Sequence, residues 1–264
     1  MNNTDLAKNI RAESLRMVCR ANASHIGSAL SMVEILVALY GEHGCKTFSQ
    51  SPLHPERDRI ILSKGHGCVS LYATLGILGY FDIANLETYG QDDSVYMNHV
   101  SHQVAGVEFS TGSLGHGLSF GVGKALYAKR HGLPWNVIVI VGDGEMNEGA
   151  IWEALSFAAH ANLSNLTLIV DRNNLQSLTT CDETLKMDLY AKCKAFGCAV
   201  FDVDGHDIDE LQRTIFCDIK DAPKVVLANT VKGKGVTFME GTVDWHYKCP
   251  TPLQLEQALR DVYA

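Results

Sequence analysis

The sequence predicts an α/β fold, a doubly wound parallel sheet flanked by helices, in which residues 1–264 form a single domain. Two observations predict it. Short, β-branched apolar runs alternate with longer helical segments, and each run is bounded by glycine, proline or polar residues. Runs of this kind are typical of parallel strands that helices cover on both faces. The length also fits one large α/β domain.

The predicted elements alternate along the chain. Strands are predicted at residues 59–63, 136–141, 166–170, 198–203 and 224–229. Helices are predicted within the first forty residues, from near Val69, at 115–129 and at 148–161. The last of these carries Ile151, Leu155, Ala158 and Ala159 at the spacing of an amphipathic helix. Residues 136–170 therefore form one strand–helix–strand unit.

Composition and charge exclude several classes of function. The chain has 22 Lys and Arg against 30 Asp and Glu, a formal net charge of −8, which argues against nucleic acid as a partner. No apolar run approaches the length needed to span a membrane. The eight cysteines form no Cys-x-x-Cys pair, and the polar first residues do not look like a signal peptide. We therefore expect reduced thiols and a cytoplasmic location.

Polar side chains end two neighbouring strands of the predicted sheet. Asp143 follows the strand at 136–141, and Asn173 follows the strand at 166–170, so both lie at the edge where α/β sheets bind ligands. A carboxylate oxygen from Asp143, an amide oxygen from Asn173 and a backbone carbonyl at Leu175 suit a hard divalent cation, Mg²⁺ or else Ca²⁺ or Mn²⁺. Phosphate oxygens and water would complete its ligand set.

Two glycines flank the acidic residue of this site. Gly142 and Gly144 allow the backbone to approach phosphates closely. The simpler alternative is that Gly-Asp-Gly and the Asn pair are two ordinary turns. Their spacing, the helix between them with its Glu148, and the second strand together favour the cation site.

Histidines form a second group of candidate site residues. Five of them lie beside glycine, serine or turn residues and outside regular apolar faces: His25, His66, His99, His116 and His246. A loop histidine is usually solvated or hydrogen-bonded locally, and this is the alternative for each of them. Imidazoles also donate hydrogen bonds to phosphate and hydroxyl oxygens and transfer protons near neutral pH. His116 precedes a predicted helix N-terminus, which favours anions.

A Lys-Gly-Lys-Gly segment adds two cations near the end of the last predicted strand. Lys232 and Lys234 could face phosphate. Solvated lysines are the simpler expectation, so the sequence predicts both side chains in water.

Gly-Asp-Gly followed about thirty residues later by an Asn pair is similar to the thiamine diphosphate-binding motif, and the chain resembles transketolase. The resemblance covers nearly the whole chain and includes the segments 23–27, 62–67, 106–117, 204–207 and 228–235. It covers only the first, diphosphate-binding domain of a full-length transketolase, as in two-subunit transketolases. It implies the thiamine diphosphate-binding fold, thiamine diphosphate as cofactor, and Asp143, Asn173 and the Leu175 carbonyl as metal ligands.

The resemblance also implies roles for the other candidate residues. The residues that match cofactor-binding positions are His66, Gly112, Ser113, Leu114, His116, Gly142, Asp143, Gly144, Glu145, Asn173 and His246. The residues that match catalytic positions are His25, His66, His99, His246 and Glu148. The histidines would line the thiazolium side of the cleft and contact the sugar. The distance from Gly106 favours His99 over its neighbour His102.

A partner chain is a further implication of the resemblance. No segment resembles the pyrimidine-binding domain, which in this family supplies an activating glutamate that pairs with the position of Glu148 across the interface between chains. The chain would be the N-terminal subunit of a transketolase that is active only with its C-terminal partner, in a heterotetramer that includes self-association. Together they would transfer a two-carbon ketol group from a ketose phosphate to an aldose phosphate.

Two other functions stay open from the sequence. Another thiamine diphosphate enzyme component, similar to deoxyxylulose phosphate synthase or to a dehydrogenase, would share the Gly-Asp-Gly unit and would release CO₂ from pyruvate. A non-catalytic, cofactor-binding partner subunit would tolerate the loss of Asp143. The sequence argues against a nicotinamide-binding protein, because no Gly-x-Gly-x-x-Gly follows a strand and opens a helix.

Overall fold

The sheet has five parallel strands and lies between two layers of helices. A computed structural model describes all of residues 1–264. The strands pair in the order β1-β2-β3-β5-β4 and comprise β1 (Arg59–Leu62), β2 (Val137–Gly142), β3 (Leu166–Arg172), β4 (Ala199–Asp204) and β5 (Lys224–Asn229). Each strand agrees with its predicted bounds to within two residues, and every pairing is parallel. The doubly wound sheet is therefore confirmed.

Helices precede the first strand, connect the strands and follow the last one. They are α1 (Asn3–Ala21), α2 (Ile26–Ser31), α3 (Val33–Tyr40), α4 (Cys68–Ile77), α5 (His116–His131), α6 (Gly149–His160), α7 (Cys181–Leu185), α8 (Leu189–Ala195), α9 (Ile208–Ile215) and α10 (Pro252–Tyr263). Short 3₁₀ helices lie at Gly65–Gly67, Ile83–Thr88, Gly144–Asn147 and Asp244–His246. None of the helices combines the length and the hydropathy that crossing a membrane requires. The helices predicted at 115–129 and 148–161 correspond to α5 and α6.

Alternate residues of each central strand face the two layers. In β2, Ile138 and Ile140 belong to the apolar core that includes α1–α4, α9 and α10. Val137, Val139 and Val141 face the second core, which includes α5, α6 and α8. Because both faces are covered, the strand reads in the sequence as a continuous apolar run rather than as an alternating one.

The carboxyl ends of β1, β2 and β3 lie side by side, and they position the polar segments that follow them. Leu62 pairs with Ile140, and Gly142 pairs with Asp171. Asp143 and Asn173 come one and two residues after this last pair, so they meet at one edge of the sheet. Ligands of open α/β sheets bind at this edge.

Candidate functional site

A cavity of about 290 Å³ opens at the carboxyl ends of β1, β2 and β3. Most of the predicted site residues line it: His25, His66, His99, Gly112, Leu114, Gly142, Asp143, Gly144, Glu145, Asn173, Leu175 and His246. We call Asp143, Asn173 and Leu175 the cation side, and we call His25, His66, His99 and His246 the imidazole side.

Asp143 is the centre of the cation side. It is only 6% exposed, and its carboxylate accepts hydrogen bonds from the backbone N–H groups of Gly144 (2.8 Å) and Asn174. Burial, with the neighbouring Asp171 carboxylate, raises the pKa of Asp143 to about 6. A carboxylate in this environment is stabilised by a cation, which would replace the proton.

The remaining cation-side oxygens come from the loop after β3. The Asn173 side-chain oxygen accepts the N–H of Leu175 at 3.1 Å, which orients the amide at the cavity wall. No group of three or more His, Cys, Asp and Glu side chains could hold a metal ion by itself. A cation beside Asp143 therefore depends on amide, carbonyl and ligand oxygens, as Mg²⁺ bound to phosphates does.

The four imidazoles of the imidazole side form one cluster. The centroid of the His25 ring lies 5.3 Å from that of His66, 5.9 Å from that of His99 and 5.0 Å from that of His246. Burial lowers the pKa of His25 to about 4 and that of His246 to about 3, and it holds the pKa of His66 well below its usual value. These three rings are therefore neutral at pH 7, and each carries one donor and one acceptor nitrogen.

Two buried lysines contribute to keeping these imidazoles neutral. Lys64 follows β1, is 1% exposed, pairs with the buried carboxylate of Asp171 and donates to the carbonyl of Ser28 at 2.9 Å. Lys232 is also 1% exposed, and its amine lies 2.8 Å from Nδ1 of His246. Burial, with the Lys64 charge, lowers the pKa of Lys232 to about 8. Positive charge at both lysines opposes a third positive charge on His25.

His25 has a backbone conformation that a histidine rarely adopts. It precedes α2 with a φ of +71°, and its N–H donates to the carbonyl of His246 at 2.8 Å. The left-handed conformation is uncommon in non-glycine residues and is worth about 1 kcal/mol or more of strain, which persists where the surrounding structure enforces it. Here it turns the imidazole into the cavity.

Two buried polar atoms of this cavity have no hydrogen-bond partner. They are Nδ1 of His25 and the amide nitrogen Nε2 of Gln176. Leaving a buried polar group without a partner costs about 1–3 kcal/mol, so such atoms indicate a missing ligand. A diphosphate with an attached heterocycle supplies both acceptor oxygens and polar ring atoms. The residues present therefore fit thiamine diphosphate with a divalent cation.

Glu145 lines the cavity, but its carboxylate contacts the protein. It accepts hydrogen bonds from the N–H of Gly115 at 2.8 Å, from the N–H of Gly142 at 3.4 Å and from the hydroxyl of Ser63. It is 2% exposed, and burial raises its pKa. Glu145 therefore joins the three segments that form the cavity wall, and a direct cofactor contact by its side chain stays a prediction.

Three predicted residues lie outside the cavity lining. Ser113 is exposed, and Nδ1 of His116 lies 3.1 Å from the carbonyl of Leu114, within its own turn. The reason for His116 is local: Gly115 takes a left-handed conformation with φ of +87° and turns the chain into α5 away from the cavity. The predictions that Ser113 and His116 bind cofactor are thus not supported by side-chain position. Glu148 is exposed at the start of α6, where a second chain could reach it.

The structure also distinguishes the two neighbouring histidines of the loop before α5. His99 lines the cavity, whereas Nδ1 of His102 lies 2.7 Å from the hydroxyl of Ser110 and does not reach the site. The structure therefore places His99, and not His102, at the cavity, and the role of His99 in the reaction stays a prediction.

Several cavity residues were missed by sequence reasoning. Lys232, predicted to be solvated, is buried in the site wall, because it lies 3.1 Å from the carbonyl of Gln176 and 3.5 Å from that of Leu175. Lys234 is closer to the expectation and pairs loosely with Glu240. The other missed lining residues are Ser28, Lys64, Gln176, Ser177 and Tyr247. Of these residues, only Lys64 could have been predicted from the sequence, because it directly follows a predicted strand.

Fold and site together define a protein of the thiamine diphosphate-binding α/β class. The family described as "Transketolase, thiamine diphosphate binding domain" matches residues 2–257. This chain belongs to that family.

Curated relatives include both separate subunits and full-length enzymes. The chain is 38% identical to an apulose-4-phosphate transketolase subunit of Phocaeicola vulgatus, over 96% of this chain and 90% of that protein. It is 38% identical to a 6-deoxy-6-sulfo-D-fructose transketolase subunit of Clostridium sp., over 90% of this chain and 87% of that protein. It is 35% identical to the transketolase of Homo sapiens, over 98% of this chain but 42% of that protein.

Solved structures agree with these relatives. The transketolase of Campylobacter jejuni superposes with a TM-score of 0.91 at 27% identity, over 99% of this chain and 42% of that one. The transketolase of Leishmania mexicana superposes with a TM-score of 0.90 at 29% identity, over 99% of this chain and 41% of that one. The chain thus spans about two fifths of the length of these single-chain enzymes.

Proposed function

We propose that this chain is the cofactor-binding subunit of a two-subunit transketolase that depends on thiamine diphosphate and Mg²⁺. With its partner it transfers a two-carbon ketol group from a ketose phosphate to an aldose phosphate. The observation that carries this proposal is the single cavity in which Asp143 and Asn173 face a cluster of four imidazoles. The split architecture is supported by relatives named as transketolase subunits, which this chain matches over nearly their whole length.

The cation side and the imidazole side have different roles in the proposed reaction. When bound, thiamine diphosphate supplies a thiazolium ring that stabilises negative charge on the reacting carbon. Asp143, Asn173 and the Leu175 carbonyl would hold the cation on the diphosphate, and Gly142 leaves open space for its approach, since an added Cβ there meets nothing within 4 Å.

The imidazole side acts on the sugar. The neutral rings of His25 and His66 can donate to substrate oxygens through one nitrogen and accept through the other, whereas Nδ1 of His246 faces the Lys232 amine and leaves only Nε2 for the substrate. They therefore suit orientation of the hydroxyl groups and transfer of protons between them and the carbonyl oxygen. His99, at the exposed rim of the cavity, would also contact the sugar.

A partner chain would complete the site. Apolar side chains beside the cavity are open to solvent: Leu178 is 82% exposed and Tyr247 is 58% exposed. Together with the exposed Glu148 they support a partner chain that covers this face. In the proposed function this partner carries the pyrimidine-binding domain and the activating glutamate, and the two subunits form a heterotetramer. All eight cysteines are free thiols, which supports a reducing, cytoplasmic compartment.

Reconstitution tests the proposal. The chain is co-purified with the product of an adjacent reading frame and supplied with thiamine diphosphate, Mg²⁺, a panel of ketose phosphates and an aldose phosphate acceptor. We expect ketol transfer by the complex and none by either chain on its own. Release of CO₂ from pyruvate without ketol transfer would instead identify another thiamine diphosphate enzyme. Unchanged activity of a complex that carries Asp143→Ala would identify a non-catalytic subunit.

A further inference from the structure

The loop that carries Lys232 is held from both sides by residues far away in the sequence. On one side, the N–H of Val231 donates to Nε2 of His206 at 2.8 Å. On the other side, the carbonyl of Lys234 accepts from Nε of Arg11 at 2.9 Å. The loop follows β5, whereas Arg11 belongs to α1 and His206 precedes α9. Three separate parts of the chain therefore meet around one lysine.

Arg11 and His206, which hold the loop from its two sides, both contact the same carboxylate. Glu34, in α3, is 8% exposed and accepts from the guanidinium of Arg11 at 2.6 and 2.7 Å. Its second oxygen lies 2.9 Å from Nδ1 of His206. Because Nε2 of His206 accepts from a backbone N–H, Nδ1 must carry the proton and donate to Glu34. These contacts fix one tautomer of His206, and we call Glu34, Arg11 and His206 the Glu34 clamp.

The two glycines of the loop allow neighbouring groups to approach its backbone closely. Gly235 has a φ of +90°, and an added Cβ would lie 2.7 Å from Nε of Arg11. Gly233 has a φ of +80°, and an added Cβ would lie 2.4 Å from the carbonyl of Met239. Side chains at either position would push the loop away from Arg11 or from its own returning turn. The glycine at 235 is therefore explained by the close approach of Arg11, and the glycine at 233 by the close approach of Met239.

We propose that the Glu34 clamp positions Lys232: His206 and Arg11 hold the peptide groups on its two sides and so fix its amine against the cofactor pocket. The amine contacts the carbonyls of Gln176 and Leu175 and the ring of His246, so it reaches the cation side and the imidazole side together. This assigns a role to the Asp204–Asp207 segment, whose histidine touches neither the cavity nor any ligand site. His206 and Arg11 are positioning residues that act through Lys232.

Positioning matters here because a lysine side chain is long and flexible. Ordering a free lysine side chain costs conformational entropy, and a backbone that is already fixed leaves fewer side-chain arrangements to be excluded.

Two variants of His206 separate its two contacts. In His206→Gln the side-chain oxygen can replace Nε2 and accept the N–H of Val231, while the contact with Glu34 is lost. In His206→Asn the side-chain amide can replace Nδ1 and donate to Glu34, while Val231 is left without its acceptor. His206 acts on Lys232 through Val231. The glutamine variant should therefore keep the binding of thiamine diphosphate, and the asparagine variant should weaken it.

The dissociation constant of thiamine diphosphate in excess Mg²⁺ is measured by titration calorimetry on the two-subunit complex. We expect His206→Asn to weaken binding about tenfold, the equivalent of one lost hydrogen bond, and His206→Gln to change it less than about twofold. In a Lys232→Met background, His206→Asn should weaken binding no further, because it acts through the amine that is already missing. His131→Asn, at the exposed end of α5, is the matched control.

A second readout needs no cofactor. Hydrogen exchange of the Val231 amide should accelerate in His206→Asn and stay at the wild-type rate in His206→Gln. The same tenfold weakening by His206→Asn with and without Lys232 would overturn the clamp, and so would wild-type binding by His206→Asn.

The inference rests on the proposed cofactor pocket, and the two fail differently. A complex without ketol transfer contradicts the proposed function. If the complex does transfer ketol groups, but His206→Asn and Lys232→Met weaken thiamine diphosphate binding independently of each other, only the clamp is contradicted.

Discussion

The cation side and the imidazole side share one cavity, but they are built in opposite ways. Asp143 and Asn173 follow two adjacent strands directly, within one strand–helix–strand unit. The imidazoles come from four separate segments, at the start of α2, after β1, before α5 and before α10. One side is the product of sheet register, and the other is assembled by tertiary packing.

The two sides also have opposite charge requirements. Burial and Asp171 raise the pKa of Asp143 to about 6, which prepares a carboxylate to exchange its proton for a cation. Burial and neighbouring positive charges lower the pKa values of His25 and His246 to about 4 and about 3, which keeps both rings neutral. The difference teaches that one cavity holds a carboxylate suited to a cation apart from neutral imidazoles, which in the proposed function would transfer protons. Each prediction below perturbs one side and asks whether the other is unaffected.

The largest effect is expected from the cation side. Asp143→Ala removes the only carboxylate of the cation side and should weaken binding of thiamine diphosphate with Mg²⁺ on the order of 100-fold or more. Calorimetric titration of the two-subunit complex measures it. Asp182→Ala, which changes an exposed acidic residue of α7, is the matched control. Retention of wild-type cofactor affinity by Asp143→Ala would mean that the cation does not bind at this strand end.

The next effect concerns the imidazole side and its dependence on pH. The pKa of His25 is about 4 in the folded chain, against about 6.5 when unfolded. Between these values only the unfolded state binds the proton, so stability is lost as pH falls from 6.5 towards 4. The full slope for one histidine is about 1.4 kcal/mol per pH unit, and its partial exposure to solvent reduces this to about 1.

Urea unfolding of the apo chain at pH 7.5 and pH 5 tests this slope. His25→Asn suits the left-handed backbone and removes the titrating ring, so its stability should fall by about 1 kcal/mol less than that of the wild type over this interval. The raised pKa of Asp143 works in the opposite direction, and comparison of variants cancels it. The free energy of unfolding could instead fall equally in His25→Asn, in the wild type and in the exposed control His131→Asn. That result would show that His25 is not held neutral by the fold.

The same contrast explains how far the sequence could predict this site. Apolar runs and strand ends predicted all five strands, and they placed Asp143 beside Asn173 from the sequence alone. Such features depend on local periodicity and on the register of neighbouring strands, which a single sequence carries. The resemblance to transketolase, rather than any periodicity, brought the four imidazoles into one group.

What the sequence could not predict depends on contacts between distant segments. Lys232 looks like a solvated loop residue until α1, α3 and the segment before α9 are folded around it. Ser113 and His116 share a motif with Gly112 and Leu114, yet only the latter two line the cavity. Glu145 shares the Gly-Asp-Gly-Glu segment but is used to join three loops.

The smallest effect is expected at Gln176, which borders the cation side. Its Nε2 is buried without a partner, and its Cγ lies against Gly144, where an added Cβ would approach it to 3.0 Å. A donor so placed lacks a hydrogen bond in the free protein and can donate to a diphosphate oxygen when the cofactor binds. Removing it should therefore have opposite effects on the two states.

Gln176→Leu keeps most of the side-chain volume and removes the amide. The free energy of unfolding of the apo chain should rise by up to about 1 kcal/mol, because an unsatisfied buried donor is gone. The dissociation constant of thiamine diphosphate in the complex should rise about fivefold, because one hydrogen bond to the ligand is lost. Gln103→Leu, exposed and outside the cavity, controls for the change in polarity. A variant that loses apo stability and keeps its cofactor affinity would mean that Gln176 supports the free fold and that the cation side ends at Leu175.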